Sequence, residues 1–193
     1  EVGPWVVRHY RRGSPLTRWL ADRYLRLGEP RPVHELRVSH AARERGVPTP
    51  EVMALAVHPA GPFYRADLAT RYVPHSSNLA QTLFGAEARS PEERLEALRA
   101  AGRLIRTAHE RGVVHVDLTL QNVLLEWTTR PPLAHLLDLD ACRVASGPLP
   151  PGKREAMLRR FARSLRGWEE RAGRVLGDEE NHAFRAGYEE GGG

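Results

Sequence analysis

The sequence contains one cysteine, one lysine and no long apolar run, and these absences exclude whole classes of protein. With Cys142 as the sole cysteine, no disulfide can form within the chain. A disulfide-stapled secreted scaffold is therefore excluded, and a reducing cytoplasm is expected. There is no apolar run of about 18 residues and no charged-then-apolar leader, so we predict neither a membrane-spanning helix nor a signal peptide. Contact with a membrane is expected to be peripheral only.

The basic residues are almost all arginines. Lys153 is the single lysine among 29 basic residues, and the formal net charge is +5. The compositional bias of a GC-rich genome explains such a skew. Selection for anionic partners explains it too, because a guanidinium grips phosphate through a planar fork. Both explanations stay open, but no nucleic-acid recognition motif is present, so nucleic acid is not an expected partner.

The order of hydrophobic patterns predicts an α+β fold. Before residue 74 we predict strands at 5–10, 51–57 and 64–73, an amphipathic helix at 16–27 and a helix at 33–45. After it we predict a capped helix from Ser90 to Gly112, short strands within the segments VVHV, NVLLE and AHLLDLD, and basic helices near 153–176 and 178–188. With 41% hydrophobic residues, the 193-residue chain is expected to be one globular domain.

The stretch from His115 to Asn122 carries the pattern H-x-D-L-x-x-x-N. It matches the catalytic loop of the protein-kinase superfamily, in which Asp117 would orient the acceptor hydroxyl and accept its proton. Asn122 would turn its amide oxygen toward magnesium. His115 is expected to hold the loop rather than to act as an acid or base.

An apolar strand ends in a second candidate metal ligand, Asp138. Magnesium prefers hard oxygen ligands and shares them with nucleotide phosphates, so Asp138, Asn122 and the phosphates form a sufficient set. Asp140 stands where protein kinases carry the glycine of D-F-G. Taken singly, each aspartate could instead be a turn or strand-end cap; the kinase-like hypothesis rests on their occurrence together, in this order.

The upstream strand has Arg8 where kinases place the lysine of V-A-I-K. Glu35 on the next predicted helix would be its partner, and the pair is expected to face the nucleotide phosphates. The backbone of Tyr72 and Val73 would meet adenine at a hinge between the lobes. An exposed strand arginine, a solvated glutamate and an ordinary strand end remain the alternatives for these positions. No glycine-rich G-x-G-x-x-G loop precedes the strand.

Taken as a whole, the chain resembles the lipopolysaccharide kinases, and within them the 3-deoxy-D-manno-octulosonic acid (Kdo) kinases. The segments that carry the resemblance are RHYRRG, DRYL, GVPTP, FYRADL, HVDLTLQNVLL and LLDLDACR. The resemblance implies a protein-kinase-like fold with a partial N-lobe at about 1–73, its first hairpin missing, and a mainly helical C-lobe at about 74–193.

The same resemblance implies a function. It implies transfer of phosphate from ATP, with magnesium (Mg2+), to the 4-hydroxyl of Kdo in Kdo-lipid A at the cytoplasmic face of the Gram-negative inner membrane. Arg11, Arg12, Arg18 and Arg23 would attract the anionic substrate, and a face formed by Trp19, Leu20 and Tyr24 could rest on lipid. Two alternatives stay open, namely a kinase for another small molecule or a protein, and a pseudokinase-like binding module.

Overall fold

The computed structural model describes residues 3–10, 23–86 and 89–191. Within these ranges the chain forms nine strands, five α-helices and one 3-10 turn at Leu120–Asn122. The strands are β1 (Trp5–His9), β2 (Tyr24–Leu25), β3 (Val52–Ala60), β4 (Phe63–Arg71), β5 (Ser76–Asn78), β6 (Val113–Val114), β7 (Val123–Glu126), β8 (Leu133–Leu136) and β9 (Arg143–Val144). The helices are α1 (Arg31–Glu44), α2 (Leu79–Phe84), α3 (Pro91–Glu110), α4 (Pro151–Ala172) and α5 (Asp178–Glu190).

Strand β4 organises an antiparallel sheet, with β3 along one edge and both β1 and β2 along the other. The predicted hairpin between β3 and β4 is confirmed, and Gly61 makes its turn with a φ of 62°, a value that suits glycine. In the register, Val6 lies opposite Thr70 and Arg8 opposite Leu68. Opposed residues share a sheet face, so β1 places Arg8 on the side of the buried Leu68.

The helix predicted at 16–27 is wrong in its described part. Tyr24 lies in strand β2, where its ring stacks on Tyr64 at 5.6 Å and meets the edge of Tyr10 at 6.3 Å. Leu27, expected on a buried helical face, is 81% exposed. Tyr24 is buried by these aromatic contacts, which override a helical spacing of apolar residues. Residues 16–22 of that prediction, with Arg11, Arg12, Arg18, Trp19 and Leu20, lie outside the described residues.

The other long elements agree closely with expectation. Ser90 and Glu93 form the predicted capping box of α3, in which each side chain accepts from the other residue's backbone N–H. Gly46 follows α1 with a φ of 76°, as expected for the residue after a helix cap. Helix α5, however, is not basic. Asp178, Glu179 and Glu180 fill its first turn, where negative charge complements the helix dipole.

Two hydrophobic clusters support the described part of the chain. A small one, built on Tyr10, Tyr24, Tyr64, Ala66 and Leu68, lies within the sheet. A larger one surrounds α3 and also takes in the inner face of α1. We call the β4 sheet with the small cluster the small lobe, and the elements around the larger cluster the large lobe. Most of the candidate site residues line a cavity between the two.

Candidate active site

The loop from His115 to Asn122 is held by hydrogen bonds between its own residues and the strand before Asp138. His115 is buried, and its Nε2 donates to the Leu137 carbonyl at 2.8 Å. Burial lowers the pKa of His115, against the opposing effect of that carbonyl. The neutral ring therefore acts as a fixed donor, in agreement with the structural role predicted for it. The Leu137 N–H donates in turn to the Asn122 carbonyl at 2.9 Å.

Asn122 is oriented by a hydrogen bond to the backbone of Asp117. Its Nδ2 donates to the Asp117 backbone carbonyl at 2.9 Å. With the amide nitrogen engaged there, the Oδ1 atom of Asn122 is left as the group that can accept or ligate.

Asp138 adopts an uncommon backbone conformation just after β8. Its φ is 60°, in the left-handed region that aspartate tolerates better than most residues. The Arg8 Nη1 donates to Asp138 Oδ1 at 2.6 Å. This contact bridges the sheet of the small lobe to the end of β8.

Arg8 forks between two carboxylates. Its Nη2 pairs with Glu35 of α1 while its Nη1 contacts Asp138. The predicted ion pair with Glu35 is thus present, although it is not bidentate. Burial alone would lower the pKa of Arg8, but the charge of Glu35 and the bond to Asp138 outweigh it, so the pKa is raised. The guanidinium is permanently cationic.

Tyr10, the residue that follows β1, completes this network. Its hydroxyl donates to Glu35. Burial first, and then the negative charge of Glu35, raise the pKa of the phenol. Burial likewise raises the pKa of Glu35, although Arg8 opposes it. Glu35 is only 5% exposed, and so it depends on Arg8 and Tyr10 for compensation of its charge.

These groups line a cavity of about 350 Å³ between the lobes. The residues that line it are Val6, Arg8, Glu35, Ser39, Thr49, Pro50, Leu68, Thr70, Arg71, Tyr72, Val73, Ser76, Asn122, Leu124, Leu137, Asp138 and Leu139. Apolar walls with a few convergent charged groups are typical of small-molecule sites. Six of the seven predicted site residues lie here.

The predicted hinge has only part of its backbone available. The N–H of Tyr72 donates to the Pro4 carbonyl at 3.0 Å, and the Val73 carbonyl accepts from the Ser76 hydroxyl at 2.8 Å. Because the Tyr72 N–H is already engaged, a ligand at this edge of the cavity would accept a hydrogen bond from the Val73 N–H rather than from the Tyr72 N–H.

Asp117 is the predicted residue that is not among those lining the cavity. Its side chain is 58% exposed and is held by Arg160 of α4. The Arg160 Nε and Nη2 lie 2.8 and 2.6 Å from Asp117 Oδ1. Asp117 connects to the cavity through its backbone bond to Asn122.

Two further contacts tie α1 to the large lobe. The Arg31 guanidinium pairs with Asp140 at 3.1 Å, and the His34 Nε2 donates to the Cys142 carbonyl at 2.9 Å. Asp140, which takes the place of a D-F-G glycine, therefore has a charged partner of its own.

The residues present fit a magnesium ion only if phosphate oxygens complete its coordination. No group of three or more His, Cys, Asp or Glu residues suited to a metal occurs among the described residues. Asp138 and Asn122 nevertheless both line the cavity and offer one carboxylate and one amide oxygen. Hard oxygen donors shared with phosphates are the usual environment of Mg2+. In the same described part of the chain, no helix has the length and apolar character needed to span a bilayer.

Comparison with known proteins identifies the family. Residues 1–188 match the lipopolysaccharide kinase (Kdo/WaaP) family. The chain belongs to this family. This Kdo/WaaP family member is 32% identical over 162 residues to the 3-deoxy-D-manno-octulosonic acid kinase of Vibrio cholerae, covering 83% of the chain and 64% of that relative. It is also 32% identical over 168 residues to the kinase of that name in Xylella fastidiosa, covering 86% and 63%.

A solved structure gives the same fold for this Kdo/WaaP family member. It is described as WaaP in complex with acyl carrier protein, and it superposes with a TM-score of 0.60 at 18% identity, covering 81% of this chain and 65% of that one. The α+β, kinase-like fold expected from the sequence is confirmed. The chain spans just under two thirds of the length of the curated relatives described above.

Sequence reasoning missed two residues of the site. Tyr10 lies two positions after Arg8, and the period of two along a strand could have placed it beside Glu35. Arg160 belongs to no motif and reaches Asp117 from 43 residues away. No local pattern in the sequence indicates that contact.

Proposed function

We propose that this chain is the catalytic core of an ATP- and Mg2+-dependent phosphotransferase. Its acceptor is the 4-hydroxyl of Kdo in Kdo-lipid A, and the reaction is a step of lipopolysaccharide inner-core biosynthesis. The observation that carries the proposal is the cavity in which Arg8, Glu35, Asn122 and Asp138 converge, next to the loop of Asp117. The relatives named Kdo kinase support the choice of acceptor.

Phosphoryl transfer is catalysed mainly by positioning and by neutralising charge on the phosphate oxygens. In the proposed mechanism Asp117 accepts a hydrogen bond from the acceptor hydroxyl and takes its proton as the hydroxyl attacks the γ-phosphorus of ATP and ADP leaves. Asp138 and Asn122 would hold Mg2+, which supplies positive charge beside the phosphates. Arg8, kept cationic and fixed by Glu35, would release Asp138 and contact the phosphates instead.

The adenine would occupy the apolar end of the cavity, near Tyr72 and Val73. Leu68, Leu124 and Leu139 line the cavity as well, and such side chains suit the flat face of a base. In this proposal the chain forms a single domain, with its small lobe at about 1–73 and its large lobe at about 74–193.

We also propose that the enzyme works peripherally at the cytoplasmic face of the inner membrane, where a lipid-linked acceptor would be found. The formal charge of +5 favours approach to anionic lipid. Tyr24 does not contribute to a lipid-facing surface, because it is only 4% exposed.

Incubation with Kdo-lipid A, ATP and Mg2+ tests the function. A lipid product heavier by one phosphate group, detected by mass spectrometry, is expected from the wild type and not from Asp117→Asn. No mass gain under any condition would refute the assignment of the acceptor. A panel of other sugars and alcohols then separates a kinase of different specificity from an inactive protein.

A binding module without catalysis is the second candidate, and the contact between Arg8 and Asp138 is the observation that favours it. An arginine that stays on the metal carboxylate would block Mg2+. Calorimetry discriminates between the two candidates. Magnesium-dependent binding of ATP is expected for the kinase, and its absence is expected for the module.

A further inference from the structure

Arg160 holds the carboxylate that is proposed to orient the acceptor. Its Nε and Nη2 both reach Oδ1 of Asp117. Within the described residues, Oδ2 of Asp117 has no hydrogen-bond partner. One oxygen is thus fixed by the arginine, while the other is left for a hydroxyl group.

Asp117 does not use all the donors of Arg160. A guanidinium carries five N–H groups, and only two of the Arg160 nitrogens, Nε and Nη2, contact Asp117. The Arg160 side chain is 32% exposed and the Asp117 side chain 58% exposed, so solvent reaches the place where they meet. The remaining donors are therefore accessible to a molecule that approaches Asp117 from outside.

The same stretch of α4 is strongly positive. Arg159, Arg163 and Arg166 are exposed within two turns of Arg160. Glu155 pairs with Arg159 at 3.3 Å and is the nearby acidic residue on this helix. A hydroxyl that reaches Asp117 beside this surface would be favoured if the acceptor carried negative charge.

We propose that Arg160 is a specificity residue that binds the carboxylate of the acceptor and so helps to deliver the 4-hydroxyl of the same sugar to Asp117 Oδ2. This inference rests on the proposed function, since it takes Asp117 as the residue that meets the acceptor. The planar fork of arginine suits a carboxylate. A guanidinium can contact Asp117 and the acceptor carboxylate together, because it has donors on two edges.

A binding experiment tests the inference without requiring turnover. The methyl glycoside of Kdo and the same glycoside with its carboxylate converted to a primary amide are titrated into the wild type, with an ATP analogue that cannot transfer phosphate, and followed by NMR. The wild type is expected to bind the acid about 10- to 100-fold more tightly than the amide, as for a charge-assisted hydrogen bond. For Arg160→Gln the two affinities are expected to agree within about twofold.

The control variant is Arg185→Gln, which removes an exposed arginine of α5 and is expected to keep the preference. Arg160→Lys keeps the positive charge but not the planar guanidinium, and it is expected to retain part of the preference for the acid. Circular dichroism confirms that each variant is folded. The inference is overturned if Arg160→Gln keeps the preference, or if the wild type shows no preference or no binding of the acid.

Failure of the proposed function gives a different result. In that case the wild type transfers no phosphate to Kdo-lipid A, whatever its affinity for the acid. If transfer does occur, Arg160→Gln is expected to raise KM for the acceptor with little change in KM for ATP. An equal loss with the acid and amide acceptors would indicate a merely structural role and would contradict the inference.

Discussion

Arg8 on β1 and Asp138 after β8 are 130 residues apart in the sequence and are joined by a 2.6 Å hydrogen bond between opposite charges. Glu35 of α1 binds the same guanidinium. Three distant segments of the chain therefore meet at one cation. The proposed metal carboxylate is held in place before any nucleotide arrives.

Asp117→Asn is expected to lower kcat by about 100-fold or more, because the acceptor hydroxyl loses its proton acceptor. The affinity for ATP should stay close to that of the wild type, since Asp117 does not line the cavity. Steady-state kinetics and calorimetry check the two parts. Asp178→Asn, in the first turn of α5, is the control. Turnover equal to the wild type would show that Asp117 has another role.

Asp138→Asn is expected to weaken binding of magnesium–ATP by about tenfold or more, because a neutral amide is a poorer ligand for Mg2+ than a carboxylate. Asp140→Asn provides the matched control. Asp140 is engaged with Arg31, and its loss should leave the nucleotide affinity within about twofold, as for an ion pair that holds structure rather than metal. Calorimetry with and without Mg2+ measures the effect. Equal losses in the two variants would contradict the assignment of Asp138.

Arg8→Gln is expected to lower the free energy of unfolding by about 2 kcal/mol, because it leaves Glu35 buried without a cation. The effect is smaller than for a fully buried pair, since the Arg8 side chain is 40% exposed. Urea denaturation measures the change. The double variant Arg8→Gln/Glu35→Gln should regain part of the loss, because no buried charge then remains.

The control for that change is Arg37→Gln. The Arg37 side chain is 65% exposed, and its pair with Glu29 should contribute less than about 0.5 kcal/mol. If Arg8→Gln lowered the free energy of unfolding no more than this control does, the network around Glu35 would not stabilise the fold.

The protein should lose stability on acidification through His109. Burial, with the nearby charges of Arg154 and Arg106, lowers the pKa of His109 from 6.5 to about 4. Between those values the unfolded chain takes up a proton that the folded protein does not. The neutral His109 thus makes its full contribution to the free energy of unfolding above pH 6.5. As the pH falls toward 4 this contribution is lost, and the free energy of unfolding decreases by about 3 kcal/mol.

Urea denaturation between pH 7 and 4 measures this loss. His109→Gln should flatten the pH dependence over that window, whatever it does to stability at pH 7. His40→Gln removes a histidine whose side chain is 70% exposed and should leave the pH dependence as it is. A wild-type slope retained in His109→Gln would locate the acid sensitivity elsewhere.

Gly187→Ala should destabilise the contact between α3 and α5. A Cβ at this position would lie 2.0 Å from the Arg99 carbonyl oxygen, and relief of that overlap requires the helices to separate. The expected loss is about 2 kcal/mol. Gly167→Ala in α4 is the control, since its Cβ would come no nearer than 3.5 Å to a neighbouring side chain. That change should stabilise the protein by about 0.5 to 1 kcal/mol. Thermal denaturation compares the two, and an unaffected Gly187→Ala would refute close packing at this glycine.

The elements whose signals are local could be predicted from the sequence. The capping box at Ser90 and Glu93, the hairpin turn at Gly61 and the glycine after α1 each depend on a few adjacent residues. The same holds for the loop from His115 to Asn122, whose candidate residues are all indicated by one short sequence motif. The pairing of Arg8 with Glu35 was predictable only by analogy with kinases.

Features that depend on tertiary contacts could not be predicted. Tyr24 joins a strand because Tyr10 and Tyr64 surround it, and no neighbour in the sequence indicates this. Arg160 reaches Asp117 only once α4 has packed beneath the loop. The acidic first turn of α5, by contrast, follows directly from three consecutive acidic residues in the sequence, so the prediction of a basic helix there is wrong on local grounds alone.

The N-terminal part of helix α1 is bound at three residues, through Arg31 to Asp140, through His34 to the Cys142 carbonyl and through Glu35 to Arg8. A movement of this end of α1 away from either neighbour breaks at least one of these bonds. If α1 moves with the β4 sheet, the bonds of Arg31 and His34 break; if it stays with the large lobe, the bond between Glu35 and Arg8 breaks. Displacement of this end of α1 is therefore coupled to the pairing of Arg8, the cation that also binds Asp138.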